Sequence, residues 1–279
     1  MKKTLTIAGS DSSGGAGIQA DIKTMGALGV FGMSVITAVT SQNTRGVTYI
    51  EELSTKSIIT QIEAIYDDTA PDAVKSGMLF SKDIIEAVSD VLKSRNKSPY
   101  ILDPVMVAAS GAKLLKDDAV SYMVENLFPL AYVVTPNIPE AELLSGMKIE
   151  SQEHIDTACR QIKELGPQNV IIKGGHFNGE ESVDTLFDGE NYYEISAKRI
   201  NSKNTHGTGC TYSSAICSYL ALGFNLLDAV KYAKQYITSA IIYGADMNIG
   251  SGSGPVNHFF ESTRNNNDGT ISFGSCTCG

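Results

Sequence analysis

A chain of 279 residues, 42% hydrophobic and 19% charged, is long enough to bury one large core and too apolar for wholesale disorder. Its net charge of −9 argues against a sequence-independent nucleic-acid binder, while leaving room for an anionic substrate held by a few backbone N–H groups. No apolar run is long enough to span a bilayer, Met1-Lys2-Lys3 leads straight into a strand-like run instead of a signal peptide, and five cysteines are too sparse for a disulfide framework, so a reducing cytoplasm is expected.

Strand-like runs alternate with amphipathic helical segments from end to end, which predicts a mostly parallel sheet covered by helices in a single domain over residues 1–261. Residues 3–9 read as a strand, 15–28 as a helix ended by Gly29, and 33–40 as a second apolar, β-branched run. Ser54 can cap a helix whose Ile58, Ile59, Ile62, Ile65 and Tyr66 share one face, and Ile84, Ile85, Val88, Val91 and Leu92 form a second such face. The runs at 100–102, 132–134 and 170–172 have the character of buried parallel strands. Each ends at once in polar or Gly/Pro residues, and ligands of open α/β sheets bind beyond such carboxyl ends. Residues 183–187 and 191–197 read as a hairpin around Asp188-Gly189, an antiparallel edge. Two long helices follow, from Gly209 to Leu222 and from Leu226 to Tyr243, each ended by glycine, before a polar, Gly-rich tail over 262–279.

The segment Asn204-Thr205-His206-Gly207-Thr208-Gly209-Cys210-Thr211 places two glycines just before a helix start. The first N–H groups of a helix lack partners and sit at the positive end of its dipole, so this is an anion pocket or, alternatively, a packing turn. It is not a Walker A loop, since no Gly-Lys-Ser/Thr follows the glycines. A thiol at a helix N-terminus is expected to fall from about 8.5 toward neutrality, which suits Cys210 as a general base; the alternative is a small buried filler, the assignment given to Cys217. A second glycine loop, Gly9 to Gly17, joins the first strand to the first helix, and Asp21 one turn further on either points back into the cleft or is a solvated acid. Asn137 and Glu140, three apart at a helix start, either hold Mg²⁺ through water or cap the helix. Asp103 ends a strand as a further oxygen ligand, and Lys173 ends another, either neutralising phosphate or snorkelling. His206 is ambiguous, and no His/Cys group has zinc spacing, Cys276-Thr277-Cys278 included.

Taken together, Ile7 to Asp11, Gly14 to Lys23, Gln42-Asn43-Thr44, Lys75-Ser76-Gly77-Met78-Leu79, Asp103-Pro104-Val105-Met106, Thr135 to Ala141, Lys173-Gly174-Gly175-His176 and Asn204 to Thr211 resemble the bacterial hydroxymethylpyrimidine/phosphomethylpyrimidine kinases of thiamine biosynthesis, in the ribokinase superfamily. The likeness is collinear from residue 4 to Phe259. It implies a ribokinase-like three-layer α/β/α fold, a homodimer, and two successive phosphorylations from MgATP, of the pyrimidine alcohol and then of its monophosphate. It implies Cys210 in the place of the superfamily's aspartate base, with Gly207, Thr208 and Gly209 completing the anion hole. Gln42 would bond the pyrimidine's polar edge, with Gly9, Asp21 and Met78 lining that pocket. Asn137 and Glu140 match an Asn-x-x-Glu motif acting on Mg²⁺ and phosphate, and Lys173, with Asp103, would lie near the nucleotide phosphates. Val107 to Ala112 would form a mobile lid. The lid lacks the second cysteine that similar pyridoxal kinases use, which favours an alcohol-only pyrimidine substrate over pyridoxal.

Overall fold

A computed structural model describes residues 1–107, 114–175 and 179–262. The lid segment after Val107, His176 and the tail from Thr263, with Cys276 and Cys278, lie outside the described residues.

Among the described residues nine strands form one sheet in the order β3-β2-β1-β4-β5-β6-β7-β8-β9. They are β1 (Lys3–Asp11), β2 (Phe31–Asn43), β3 (Gly46–Glu52), β4 (Ala73–Ser76), β5 (Tyr100–Leu102), β6 (Val133–Val134), β7 (Val170–Ile172), β8 (Glu181–Phe187) and β9 (Tyr192–Lys198). Pairing is parallel from β2 through β7. It is antiparallel at both edges, in β2–β3 and in β7–β8–β9. The β8–β9 hairpin matches the expected edge, whereas β3 makes a second antiparallel edge that the sequence did not suggest.

Helices cover both faces. On one side lie α2 (Thr55–Asp68), α3 (Lys82–Arg95), α4 (Asp117–Asn126), α5 (Ile138–Ser145) and α6 (Gln152–Glu164); on the other lie α1 (Gly17–Ala27), α7 (Thr208–Ala221) and α8 (Leu226–Gly244). The period-two alternation of strands feeds two separate cores. Tyr100, Leu102, Val170 and Ile172 pack with α2–α6, while Ile101 and Ile171 pack with α7 and α8. Such three-layer burial is why the central strands read as unbroken apolar runs.

Local chemistry sets the boundaries. Ser54 caps α2 by accepting from Ser57 N–H. Gly223, at φ 97°, follows α7 as a glycine terminator should, but Gly244 is the last residue within α8, which is capped by Ala245. The chain runs from β1 outward to β2 and returns on the other side of β1 as β4, so the strand order reverses at β1/β4. Beyond that reversal the carboxyl ends of neighbouring strands diverge and leave a crevice. No helix among the described residues is long and apolar enough to cross a membrane.

Candidate active site

The crevice is closed at one end by the start of α7. Gly207 is its N-cap, at φ 80°, and a Cβ there would collide with the carbonyl oxygen of Gly15, so only glycine lets the two glycine loops meet. Buried Asn204 clamps the turn from behind, its Nδ2 donating at 2.7 Å to the carbonyls of Gly244 and Met247. The His206 N–H donates to Gly254 O at 3.0 Å. Thr208 N–H turns back to Thr205 O at 3.3 Å, and the glycine cap offers no side-chain acceptor. The N–H groups of Gly209 and Cys210 therefore keep the open valence of a helix start.

Two cavities flank this turn. One, of about 510 Å³, reaches the β1/β4 reversal and includes Gly9, Gln42, Met78, Asp103, Glu140 and Cys210 in its wall. The other, of about 410 Å³, is bordered by Tyr212, Lys234, Ile237 and the β9 end. Asn137, Lys173, Thr205, Thr208 and Gly209 belong to both walls, so the cavities meet at the α7 start.

Two ion pairs lie against this junction. Asp103 is buried, and its Oδ1 accepts from Lys173 Nζ at 2.8 Å and from Thr135 Oγ1 at 3.1 Å, while Ser213 Oγ donates to Oδ2 at 3.2 Å. Burial opposes its ionisation, but Lys173 and Lys75 hold its carboxyl below the usual range. Burial also works against the charge of Lys173, and Asp103 and Glu140 outweigh it, so the ammonium persists. In the second pair Lys75 Nζ donates to both oxygens of Asp21 at 2.9 Å, with Thr6 and Ser214 hydroxyls each adding a bond of 2.6 Å to Asp21.

Asn137 and Glu140 form a capping box at α5: Glu140 N–H donates to Asn137 Oδ1 at 2.9 Å, and Asn137 N–H donates to Glu140 Oε2 at 2.8 Å. Burial pushes the Glu140 carboxyl up to about 7, with Asp103 adding to the rise and Lys173 opposing it. The helix-capping alternative is thus realised at these two residues, and both still border the first cavity. Among the described residues no group of three or more His, Cys, Asp or Glu is arranged to hold a metal ion.

Two expectations need correction. Asp21 does not line the pocket; it is sealed in the pair with Lys75, because a carboxylate one turn into α1 faces the sheet beneath the crevice. The Cys210 thiol does not fall toward neutrality. Burial pushes it up to about 11: Lys75 and the Gly17 N–H pull down, Asp21 and Asp103 push up, and the desolvation cost outweighs the helix terminus. Lys75, Asp11 and His206 are site residues to which the sequence assigned no role. For Lys75 the available signal was a lone cation in the short run Ala73-Val74-Lys75-Ser76.

The single sheet, the crevice at its reversal point and the glycine turn opening α7 define a ribokinase-like α/β protein. A family model described as phosphomethylpyrimidine kinase matches residues 11–257. A hydroxymethylpyrimidine/phosphomethylpyrimidine kinase of Rhizobium meliloti is 48% identical over 91% of this chain and 96% of its own length. The thiamine biosynthesis bifunctional protein ThiED of Geobacter sulfurreducens is 51% identical over 91% of this chain, which spans only 51% of that relative. Among solved structures, phosphomethylpyrimidine kinase from Clostridium difficile 630 has a TM-score of 0.78 at 48% identity, covering 86% of this chain and 100% of its own. The ADP complex of Bacillus subtilis pyridoxal kinase has a TM-score of 0.86 at 37% identity, covering 94% and 99%. The chain belongs to the phosphomethylpyrimidine kinase family.

Proposed function

We infer that this chain transfers the terminal phosphoryl group of MgATP to the hydroxyl of 4-amino-5-hydroxymethyl-2-methylpyrimidine, and then to the resulting monophosphate, in thiamine biosynthesis. The observation that carries this is the meeting of two cavities at one helix start, with Lys173 and Asn137 in both walls. A phosphoryl group passing between a nucleotide and an alcohol needs such a shared boundary, with donors fixed where charge develops. The family relation and the ADP complex of a similar kinase support ATP as donor.

In this reading Gly9, Gln42 and Met78 hold the pyrimidine, and Lys173 and Asn137, with Asp103 orienting Lys173, face the phosphates. The N–H groups of the Gly207-Thr208-Gly209-Cys210 turn form the anion hole. The oxygens of Asn137 and Glu140 are engaged in the capping box but keep spare lone pairs, which fits a hydrated Mg²⁺ held through water better than direct ligation. The ion would supply charge neutralisation on the phosphates. Burial keeps Cys210 as a thiol at rest, so it takes the hydroxyl proton only after giving its own proton to water in the crevice, a loss that the Lys75 charge favours. Alignment and the anion hole then supply more of the rate than proton removal does. A homodimer and a cytoplasmic location complete the proposal, and sedimentation tests the former.

The test is ADP release from MgATP with a small panel of alcohols. Turnover with hydroxymethylpyrimidine well above that with pyridoxal is expected. Faster turnover of pyridoxal would reassign the substrate, and no release with any alcohol would make the chain a binding protein.

A further inference from the structure

Asp11, at the end of β1, is buried and surrounded by donors. It accepts from the N–H groups of Ser13, Gly15 and Ala16 and from the Ser13 hydroxyl, so it acts as an ionised acceptor throughout. Its Oδ2 also lies 2.9 Å from His206 Nε2. A carboxylate that only accepts requires that nitrogen to carry a proton, in the neutral ring and in the imidazolium alike. The ring packs closely on Gly15, where a Cβ would strike its Cδ2.

The same Nε2 lies 3.2 Å from the side-chain amide of Gln42, in the wall of the first cavity. With the amide nitrogen facing His206, two donors would oppose each other. At the other end, the amide oxygen accepts from the Thr40 hydroxyl at 3.1 Å, but it competes for that single proton with Ser10 O at 3.0 Å. Turning the amide over removes both conflicts at once. His206 Nε2–H then donates to the Gln42 oxygen as well as to Asp11, Gln42 N–H donates to Thr40 Oγ1, and Thr40 donates to Ser10.

We propose that Asp11 and His206 are positioning residues that fix the Gln42 amide with its acceptor toward α7 and its donor toward β2, and so set the polarity of the heteroaromatic edge that the first cavity accepts. This rests on the pyrimidine reading above. An aminopyrimidine offers a donor amine beside an acceptor ring nitrogen, the complement of a carboxamide held one way round. An amide free to turn over would take the reversed edge as readily, and discrimination would be lost.

The tautomer is tested without turnover. In ¹⁵N-labelled protein the chain's four histidines give few enough ring systems for His206 to be assigned by its loss in His206→Gln. Long-range ¹H–¹⁵N correlations are expected to show a protonated Nε2; a bare Nε2 with the proton on Nδ1 overturns the proposal. Kinetics separate positioning from simple packing. His206→Leu is expected to raise KM for the pyrimidine about tenfold, roughly one hydrogen bond's worth, with kcat and KM for MgATP nearly unchanged. His206→Gln, whose NH₂ can donate to both Asp11 and Gln42, should restore most of it. Equal loss in both variants, or a fall in kcat at unchanged pyrimidine KM, contradicts the proposal. A chain inactive on every pyrimidine alcohol but carrying the Nε2–H ring would sink the functional reading while supporting the relay.

Discussion

The two buried ion pairs beside the α7 start resemble each other in chemistry and differ in access. Lys75 and Asp21 are both wholly enclosed, and Asp21 is further bonded by Thr6 and Ser214. Lys173 keeps 15% of its side chain exposed, in the wall that both cavities share, while its partner Asp103 is held in place by Thr135 and Ser213. The enclosed pair exposes no surface, so although Lys75 stands in the wall of the first cavity it acts chiefly through its fixed field and its part in the fold. An open pair presents a charge that a phosphate can reach. On the proposed reading the crevice divides its cations into one that tunes and one that binds phosphate, with Cys210 near both.

Removing Cys210 tests what lies between the pairs and should have the largest effect. Cys210→Ala is expected to lower kcat by roughly 10²- to 10⁴-fold, the range for a general base, with pyrimidine affinity unchanged. Full turnover would show that the N–H groups suffice alone. Lys75→Met attacks the sealed pair and strands Asp21 in the core, so it should cost about 3–5 kcal/mol of stability, read from urea unfolding. Asp21→Asn added to it should recover much of that loss.

Lys173→Met attacks the open pair. Here kcat is expected to fall on the order of 10²- to 10³-fold, as for loss of one donor to a developing anion, with a smaller stability change than Lys75→Met because this pair borders the open crevice, where water can reach the carboxylate left behind. If both lysine variants lost stability equally while keeping turnover, the division would fail. The smallest effect is in pH dependence. Burial raises the Glu140 carboxyl to about 7, so the folded state holds its proton more firmly than the unfolded chain. That contribution is full below pH 4.5 and is lost as pH rises through 7. Glu140→Gln should remove this part of the slope in urea midpoints measured across that window.

The central strands were legible because burial on both faces leaves a signature in the residues themselves. So was the strand-end placement of Asp103, Asn137 and Lys173, since polar residues end those runs abruptly. β3 escaped notice because its residues are mostly half-exposed or exposed and its place is fixed by pairing with β2. β4 is four residues with a lysine inside, and that lysine makes sense only beside Asp21, 54 positions away. The direction of the Cys210 shift is hidden from the sequence for the same reason. A helix terminus is local, whereas the burial and the carboxylates that outweigh it come from α1 and β5. His206 stayed ambiguous because its partners Gln42 and Asp11 are 164 and 195 residues distant.

The central claim is that one crevice carries out two successive transfers across the α7 start. A mass-resolved time course with hydroxymethylpyrimidine and excess MgATP tests it most directly. The account predicts a monophosphate that rises first and then declines as the diphosphate accumulates, with both steps lost together in Lys173→Met. A monophosphate that accumulates to completion, or a diphosphate step that survives in that variant, would contradict it.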